Sequence, residues 1–394
     1  MAQYTGDDTA NDYDGLLNES NDIAALGGND TISGGYLHDY IDLGEGDDFA
    51  FGDDGSDSIH CGSGNDSVYG ADGDDSIYSY TGLAGDVKEL DGGSGDDYFL
   101  VGYGKEQISG DLGEDEVEYY YSKEGVVVDL LAGKGSGGAA EGDSYFRIED
   151  VIGSLHADRL IGNGAFNFLN GDGGNDTIRG GAGGDRLLGG GGSDTLDYRS
   201  SDAGVRIDLA GRTAYGGDAQ GDSFVGFENV DGTDFGDRLT GDSRANRLRG
   251  FDGGDRLAGG DGADILSGGG GADQLTGGKG GDALRGGAGS DRFVFRSTNE
   301  SGIAAAARDE ILDFRHGQHD RIDLAAIDAN SDAAGNQRFD FIGTARFHGA
   351  SGELRVSDKG ADLLVSGDIN GDKHADFTIL LAGIDGLQAS DFLL

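Results

Sequence analysis

From residue 259 to residue 294 the chain repeats a nine-residue unit without a gap. Residues 259–267, 268–276, 277–285 and 286–294 each read Gly-Gly-x-Gly-x-Asp-x-U-x, where U is a large apolar residue. Six of the nine positions are glycine-rich around a fixed aspartate; three are strand-like with one apolar side chain at their centre. Glycine tolerates positive φ and close backbone approach, so the six can turn tightly and aim carbonyls inward. Successive side chains of an extended triplet alternate faces, so the residues flanking U point away from it. One buried apolar residue per nine makes no core alone. Stacked copies do, because the U residues then form a continuous ladder.

Composition is read through that repeat. The 394 residues include 80 glycines and no proline, and the formal charge is −47. Such charge with 36% apolar residues normally indicates disorder. If the aspartates converge on divalent cations, the charge becomes a ligand supply, and the metal-free chain expands by self-repulsion. The single cysteine, Cys61, cannot form an internal disulfide. The first residues carry neither a basic region nor an apolar run, which gives the expectation of no cleaved signal peptide. No stretch approaches the ~18 apolar residues of a membrane span. An acidic chain of this kind repels nucleic acid and anionic lipid.

The repeat extends well beyond its cleanest stretch. Residues 1–24 carry it faintly, with Asp12 and Asn21 at the aspartate position. The phase is firm at Asp30, Asp39, Asp48, Asp57, Asp66 and Asp75, breaks over 79–91, and resumes at Asp97 with Glu106 and Asp115 in the next two positions. A second block has Asp158, Asn167, Asp176, Asp185 and Asp194. A third has Asp237, Asn246, Asp255, Asp264, Asp273, Asp282 and Asp291. Each of these blocks follows an element that resembles two strands joined by a glycine-rich loop, with segments 125–130 and 148–153 in one copy and 204–209 and 227–232 in the other. Tyr119 and Tyr198 precede the copies in register. The simplest reading is a duplicated spacer covering the open end of a repeat block. The organisation expected is therefore 1–118 as a first repeat block interrupted at 79–91, 119–152 as spacer, 153–197 as second block, 198–231 as duplicated spacer, 232–294 as third block, and 295–394 as a β-rich cap of short alternating strands. Arg159, Arg186, Arg238, Arg247, Arg256 and Arg292 gather beside U and should face outward, as a solvated face offsetting the acidic turns or as a stripe for a polyanion.

Carboxylates and carbonyls are hard ligands that suit Ca²⁺, which accepts six to eight oxygens in variable geometry. If two nonapeptides make one coil, turns eighteen residues apart lie one above the other, and aspartates at that separation share ions. The pairs 30/48, 39/57, 48/66, 57/75, 97/115, 158/176, 176/194, 237/255, 255/273, 264/282 and 273/291 satisfy this. Together with Asp185 they supply the metal candidates, for Ca²⁺ ions on the order of ten.

Residues 25–118 and 153–294 resemble the repeats of the RTX (hemolysin-type) family. That resemblance implies an all-β fold, a right-handed parallel β-roll in several blocks with Ca²⁺ between successive turns. Residues 295–394 are similar to the C-terminal domain of serralysin-type metalloproteases, notably in 309–314, 317–324, 339–343, 352–355 and the segment from Asp368 to Phe377, where Lys373 stands in place of the motif's glycine. The resemblance implies export by a type I ABC secretion apparatus with an uncleaved signal in the last ~50 residues, and folding on extracellular Ca²⁺ at 10⁻⁴–10⁻³ M affinities.

The sequence has no His-Glu-x-x-His, no Gly-x-Ser-x-Gly and no ligand-spaced histidine cluster. Two functions are open. One is a non-enzymatic, secreted bacterial calcium-binding protein with an adhesive, matrix or host-interaction role, which touches cell-surface or matrix polysaccharide. The other is a Ca²⁺-dependent polysaccharide-active enzyme or carbohydrate-binding module, for which the tyrosine-rich stretch 98–121 is the place to look.

Overall fold

The fold is known from a computed structural model that describes residues 2–80, 83 and 85–394; Met1 and residues 81, 82 and 84 of the expected phase break lie outside it. The chain is all-β, and its helical turns are three-residue 3₁₀ segments. Two compact units form: Met1–Thr195 with Gly221–Phe227, and Leu196–Gln220 with Glu228–Leu394.

The first unit is a parallel solenoid in which consecutive strands alternate between two rows. One row runs from Ala2–Thr5 through Tyr40–Asp42 and Ser76–Tyr78 to Glu116–Glu118, Arg186–Leu188 and Ser223–Val225. The facing row contains Thr31–Gly35, Phe49–Asp54, Ser67–Asp72, Val87–Ser94 and Lys105–Leu112. The register follows from the eighteen-residue period: Ile23 lies beside Ile41, Ile41 beside Ile59 and Ile59 beside Ile77. Each of these side chains is fully buried, as are Ile32, Ala50 and Val68 opposite them. The U residues of both rows thus share one narrow core, which is why one apolar residue per repeat suffices.

Three expectations need correcting. Asn11, not Asp12, stands in the first ligand position, because Asp12 pairs with Thr31 and opens an exposed strand; nineteen residues separate this turn from Asp30. The phase break is shorter than 79–91. Residues from Val87 onward are back in a strand, with Leu90 beside Val68, so the separation there exceeds the eighteen-residue period by four. The duplicated element is also more than two strands covering an open end. In its first copy Val127–Asp129 forms a hairpin with Lys134–Ser136 and pairs with Arg159–Ile161, while Ser144–Phe146 pairs with Gln107–Ser109 and Asp150–Ile152 with Glu116–Glu118. The element is threaded into the rows, because Val128, Tyr145 and Val151 each occupy a core position of the ladder.

The second unit follows the same logic. Arg206–Asp208, Arg238–Thr240, Arg256–Asp261, Gln274–Lys279, Arg292–Val294 and Arg321–Asp323 stack in parallel, and Phe392–Leu393 closes this row. Opposite them, Arg247–Asp252, Ile265–Gly270, Ala283–Ala288 and Glu310–Ile311 lead to an antiparallel sheet of Glu353–Lys359, Asp362–Asp368 and Phe377–Leu381. This sheet is the β-rich cap. Its change of direction ends the solenoid, since an antiparallel strand offers no further nonapeptide turn to stack on.

Leu266 sits fully buried between Leu248 and Leu284, whereas Ser267 points outward and is half-buried. Leu266→Ala should cost ~2–5 kcal/mol by the lost burial and the cavity it leaves. Ser267→Ala should stay within ~0.5 kcal/mol. Chemical denaturation at saturating calcium measures both, and equal effects would contradict the inward ladder.

Candidate calcium sites

The turn of residues 268–273 shows how the repeat builds a site. Gly269 and Gly271 have φ of 115° and 125°. A Cβ at these positions would lie 1.9 Å from the Phe251 carbonyl oxygen and 1.5 Å from that of Gly253, both in the preceding turn. Glycine is required because the turns approach each other through backbone alone.

The aspartate that ends each turn is held the same way throughout. Its Oδ1 accepts the backbone N–H of the aspartate one coil earlier: Asp30 N to Asp48 at 2.7 Å, Asp57 N to Asp75 at 2.7 Å, Asp97 N to Asp115 at 2.8 Å, Asp176 N to Asp194 at 2.8 Å, Asp255 N to Asp273 at 2.8 Å and Asp264 N to Asp282 at 2.8 Å. All eleven pairs expected from the spacing are stacked in this manner. Asp75 N reaches Asp97 at 2.8 Å across the lengthened separation, and Asn167 N reaches Asp185 at 3.0 Å.

The second oxygen is the informative one. In Asp30, Asp39, Asp48, Asp57, Asp75, Asp97, Asp115, Asp176, Asp255, Asp264, Asp273, Asp282 and Asp291, Oδ2 is buried and has no hydrogen-bond donor. A buried anionic oxygen without a partner is costly, and in these turns a bound cation or a proton would meet that cost. Burial, offset in part by the inter-turn hydrogen bond and reinforced by neighbouring carboxylates, pushes Asp48, Asp57, Asp75, Asp97, Asp176, Asp255 and Asp264 up to about 7. The same cause raises Asp115, Asp282 and Asp291 to about 6. Among the described residues no three His, Cys, Asp or Glu side chains converge, so an ion here must take most of its oxygens from backbone carbonyls. That donor set, hard and irregular, suits Ca²⁺.

Not every aspartate position is alike. Asp158 accepts from Val126 N at 2.7 Å and Ser154 Oγ at 2.8 Å through Oδ1, and from Ser154 N at 2.5 Å through Oδ2. Asp237 is held likewise by Val205 and Thr233. Serine or threonine at the second turn position supplies the donor, so both oxygens are already engaged. Asn167 and Asn246 accept the N–H of Asn163 and Asp242 in their own turns. Asp66 is different again: its Oδ2 accepts a hydrogen bond from Lys88 Nζ.

The sequence reading missed several residues that occupy the same position. Asp143 accepts from Glu106 N at 3.0 Å, Asp222 from Asp185 N at 2.8 Å, Asp309 from Asp282 N at 3.1 Å and Asp320 from Asp291 N at 3.0 Å. Burial and the Asp282 charge push Asp309 up to about 9, and its Oδ2 is another buried oxygen without a donor. A signal was present: 143–145, 222–224, 309–311 and 320–322 all keep Asp-x-U while lacking the glycines. By contrast, the acidic loop near the C-terminus closes on itself. Asp368 accepts from Gly371 N at 2.7 Å and Lys373 N at 2.9 Å, Asp376 accepts from Ile369 N at 2.7 Å, and Lys373 takes the left-handed φ of 70° where the motif has glycine.

Asp264→Asn should lower bound calcium by about one ion per chain, since one carboxylate of a hard-oxygen set is lost. Asp158→Asn should leave the count unchanged. Equilibrium dialysis decides, and the opposite ranking would reject the assignment. The raised carboxyls also set a pH dependence. Their folded-state values lie above the ordinary 3.8, so they favour the metal-free fold below about pH 4 and lose that contribution as pH rises toward about 7. Calcium competes with those protons, so its affinity should rise from about pH 5 to about pH 8 with net proton release. Calorimetry in buffers of different ionisation enthalpy would detect it; a pH-independent affinity would contradict it.

Comparison with known proteins finds the repeat and the C-terminal domain as families. The RTX calcium-binding nonapeptide repeat (4 copies) matches residues 18–50, 51–82, 89–117, 152–187, 161–196 and 231–266, and the peptidase M10 serralysin C terminal family matches 254–394. No curated protein matches. Among solved structures, the AlgE6R2 subunit of the Azotobacter vinelandii mannuronan C5-epimerase is 29% identical over 40% of this chain and 91% of its own, with a TM-score of 0.30. The AlgE6R3 subunit of the same enzyme is 29% identical over 40% of this chain and 78% of its own, with a TM-score of 0.16. The extracellular lipase LipA of Serratia marcescens is 18% identical over 62% of this chain and 40% of its own, with a TM-score of 0.18. The chain is an RTX calcium-binding repeat protein with a serralysin-type C-terminal domain.

Proposed function

We propose that this protein is exported unfolded by a type I secretion apparatus, folds on extracellular Ca²⁺, and then serves as an adhesive or matrix component by holding an anionic polysaccharide. Support for the folding step is the set of buried carboxylate oxygens without donors: at the low calcium of a cytosol they repel one another and the chain stays extended. Phe392–Leu393 is paired in the folded roll, so a signal at the C-terminus is presented only before folding. Among the described residues no helix is long and apolar enough to cross a membrane.

The observation that carries the binding role is a row of arginines in the second unit. Arg206, Arg238, Arg256 and Arg292 are exposed and stand in register with Gln274 between the last two. They line a groove of about 770 Å³ whose floor includes the turns of Asp237, Asp255 and Asp273. Arg292 has Asp323 at 3.7 Å; Arg206, Arg238 and Arg256 have no ion pair among the described residues. Once calcium neutralises the turn carboxylates, the groove presents guanidinium groups one strand apart, a spacing that suits a polymer with a carboxylate on successive units. The charge of the whole chain is unfavourable for such a ligand; the local row overrides it only when the turns are loaded.

A carbohydrate-binding or polysaccharide-active role is the second reading, favoured by a column of rings in the first unit. His60 stacks on Tyr78 at 4.4 Å, and Tyr80 lies 5.0 Å from Tyr121. Tyr119, by contrast, is buried, donates to Asp143 at 2.7 Å and belongs to the core.

Polygalacturonate binding tests the proposal. It should be retained in millimolar calcium, disappear in chelator together with the β signal in circular dichroism, and weaken roughly tenfold, about 1.4 kcal/mol, in the Arg238→Ala/Arg256→Ala double variant. Equal binding to neutral dextran, or a chain already folded in chelator, would overturn it. Release of new reducing ends from the polymer would favour the enzymatic reading.

A further inference from the structure

We propose that the ammonium group of Lys88 is a built-in cation that occupies one calcium position of the roll permanently, so that the turn ending in Asp66 is held without metal. The inference rests on the calcium reading of the turns. Glu89 pairs with Ser67 and Lys88 with Glu106, which places Lys88 directly above Asp66 in the ligand row. The sequence there is Lys88-Glu89-Leu90, the Asp-x-U signature with a cation in place of the aspartate.

The side chain turns down into the site rather than out to solvent. Lys88 is fully buried, as is the carboxylate of Asp66. Its Nζ donates to the carbonyl oxygens of Gly64 at 2.9 Å and Gly62 at 3.3 Å, and to Asp66 Oδ2. Those acceptors are the carbonyls of the second and fourth turn positions and the carboxylate of the sixth. An ammonium has three donors, and three acceptors meet them. Asp66 still accepts Asp48 N through Oδ1 at 3.0 Å, so the inter-turn bond is unchanged. The oxygen that Lys88 satisfies is the one left without a donor in the turns of Asp48, Asp57, Asp75 and others along the row. A buried charge pair persists only when its hydrogen bonds are complete, and this one is complete.

Two consequences follow from the chemistry. The lysine removes a carboxylate from the row and adds a positive charge at the same place, so the position has neither the ligand nor the need for a divalent ion. It also follows the lengthened separation, where the eighteen-residue spacing is lost and an ion-bridged contact could not rely on the regular repeat. A covalently tethered cation needs no calcium to bring this rung together.

Calcium counts on the full chain test this. Lys88→Asp restores the repeat signature and should bind about one more ion than the wild type. Lys88→Met removes the charge while keeping the length, and should require a higher calcium concentration for half-folding, read by circular dichroism. An unchanged count in a folded Lys88→Asp chain would overturn the proposal. So would a Lys88→Met variant that folds at the wild-type calcium concentration, or failure of both variants to fold at any calcium concentration, because an ion could then not stand in for the ammonium. A wild-type chain that binds no calcium would instead reject the calcium reading of the turns.

Discussion

The structure depends on one hydrogen bond made repeatedly. The backbone N–H of each ligand-position residue donates to the carboxylate of its counterpart one coil later, so each aspartate is pinned by Oδ1 and presents Oδ2 to the interior. This bond joins successive coils at the turns, beside the backbone pairing that continues there between residues such as Phe251 and Gly269. It also makes the fold conditional. Most of the pinned carboxylates are buried without a second donor, so their charged form is costly until a cation neutralises it. The large negative charge and the stable fold are compatible only because the same side chains perform both tasks.

The conditional fold suits a chain that must be unfolded in one compartment and folded in another. On the proposed reading the chain is extended at low calcium and offers no core to resist passage, and the ladder of isoleucines and leucines closes once the turns are loaded. The arginine row belongs to the same arrangement. Arg238 and Arg256 line the same groove as Asp237 and Asp255, and in the proposed function their charge acts outward once calcium occupies those carboxylates. Lys88 shows the alternative, in which the positive charge is carried by the chain itself.

The threaded element joins these regularities to the irregular parts. Val128, Tyr145 and Val151 fill core positions although their segments lack the glycine turns, and Asp143 fills a ligand position between Glu106 and the Tyr119 hydroxyl. A solenoid accepts such insertions where the inserted chain keeps an apolar residue at the core position of a strand, as Val128, Tyr145 and Val151 do; the excursion between is free to leave the roll.

The period of eighteen, the aspartate pairs, the inward U residues and the all-β class follow from the sequence alone, because each is a local property repeated many times and another register would take the U residues out of their shared core. Asp12 was misplaced because a single extra residue shifts a weak repeat, and no local signal marks it. What the tertiary structure decided are the events that occur once. It brought Asp143, Asp222, Asp309 and Asp320 into the ligand rows from spacings that no period announces. It engaged both oxygens of Asp158 and Asp237 with protein donors, and it turned Lys88 inward onto the oxygens of a neighbouring coil. Such contacts join residues far apart in the chain, and the register that joins them exists only once the coils have stacked.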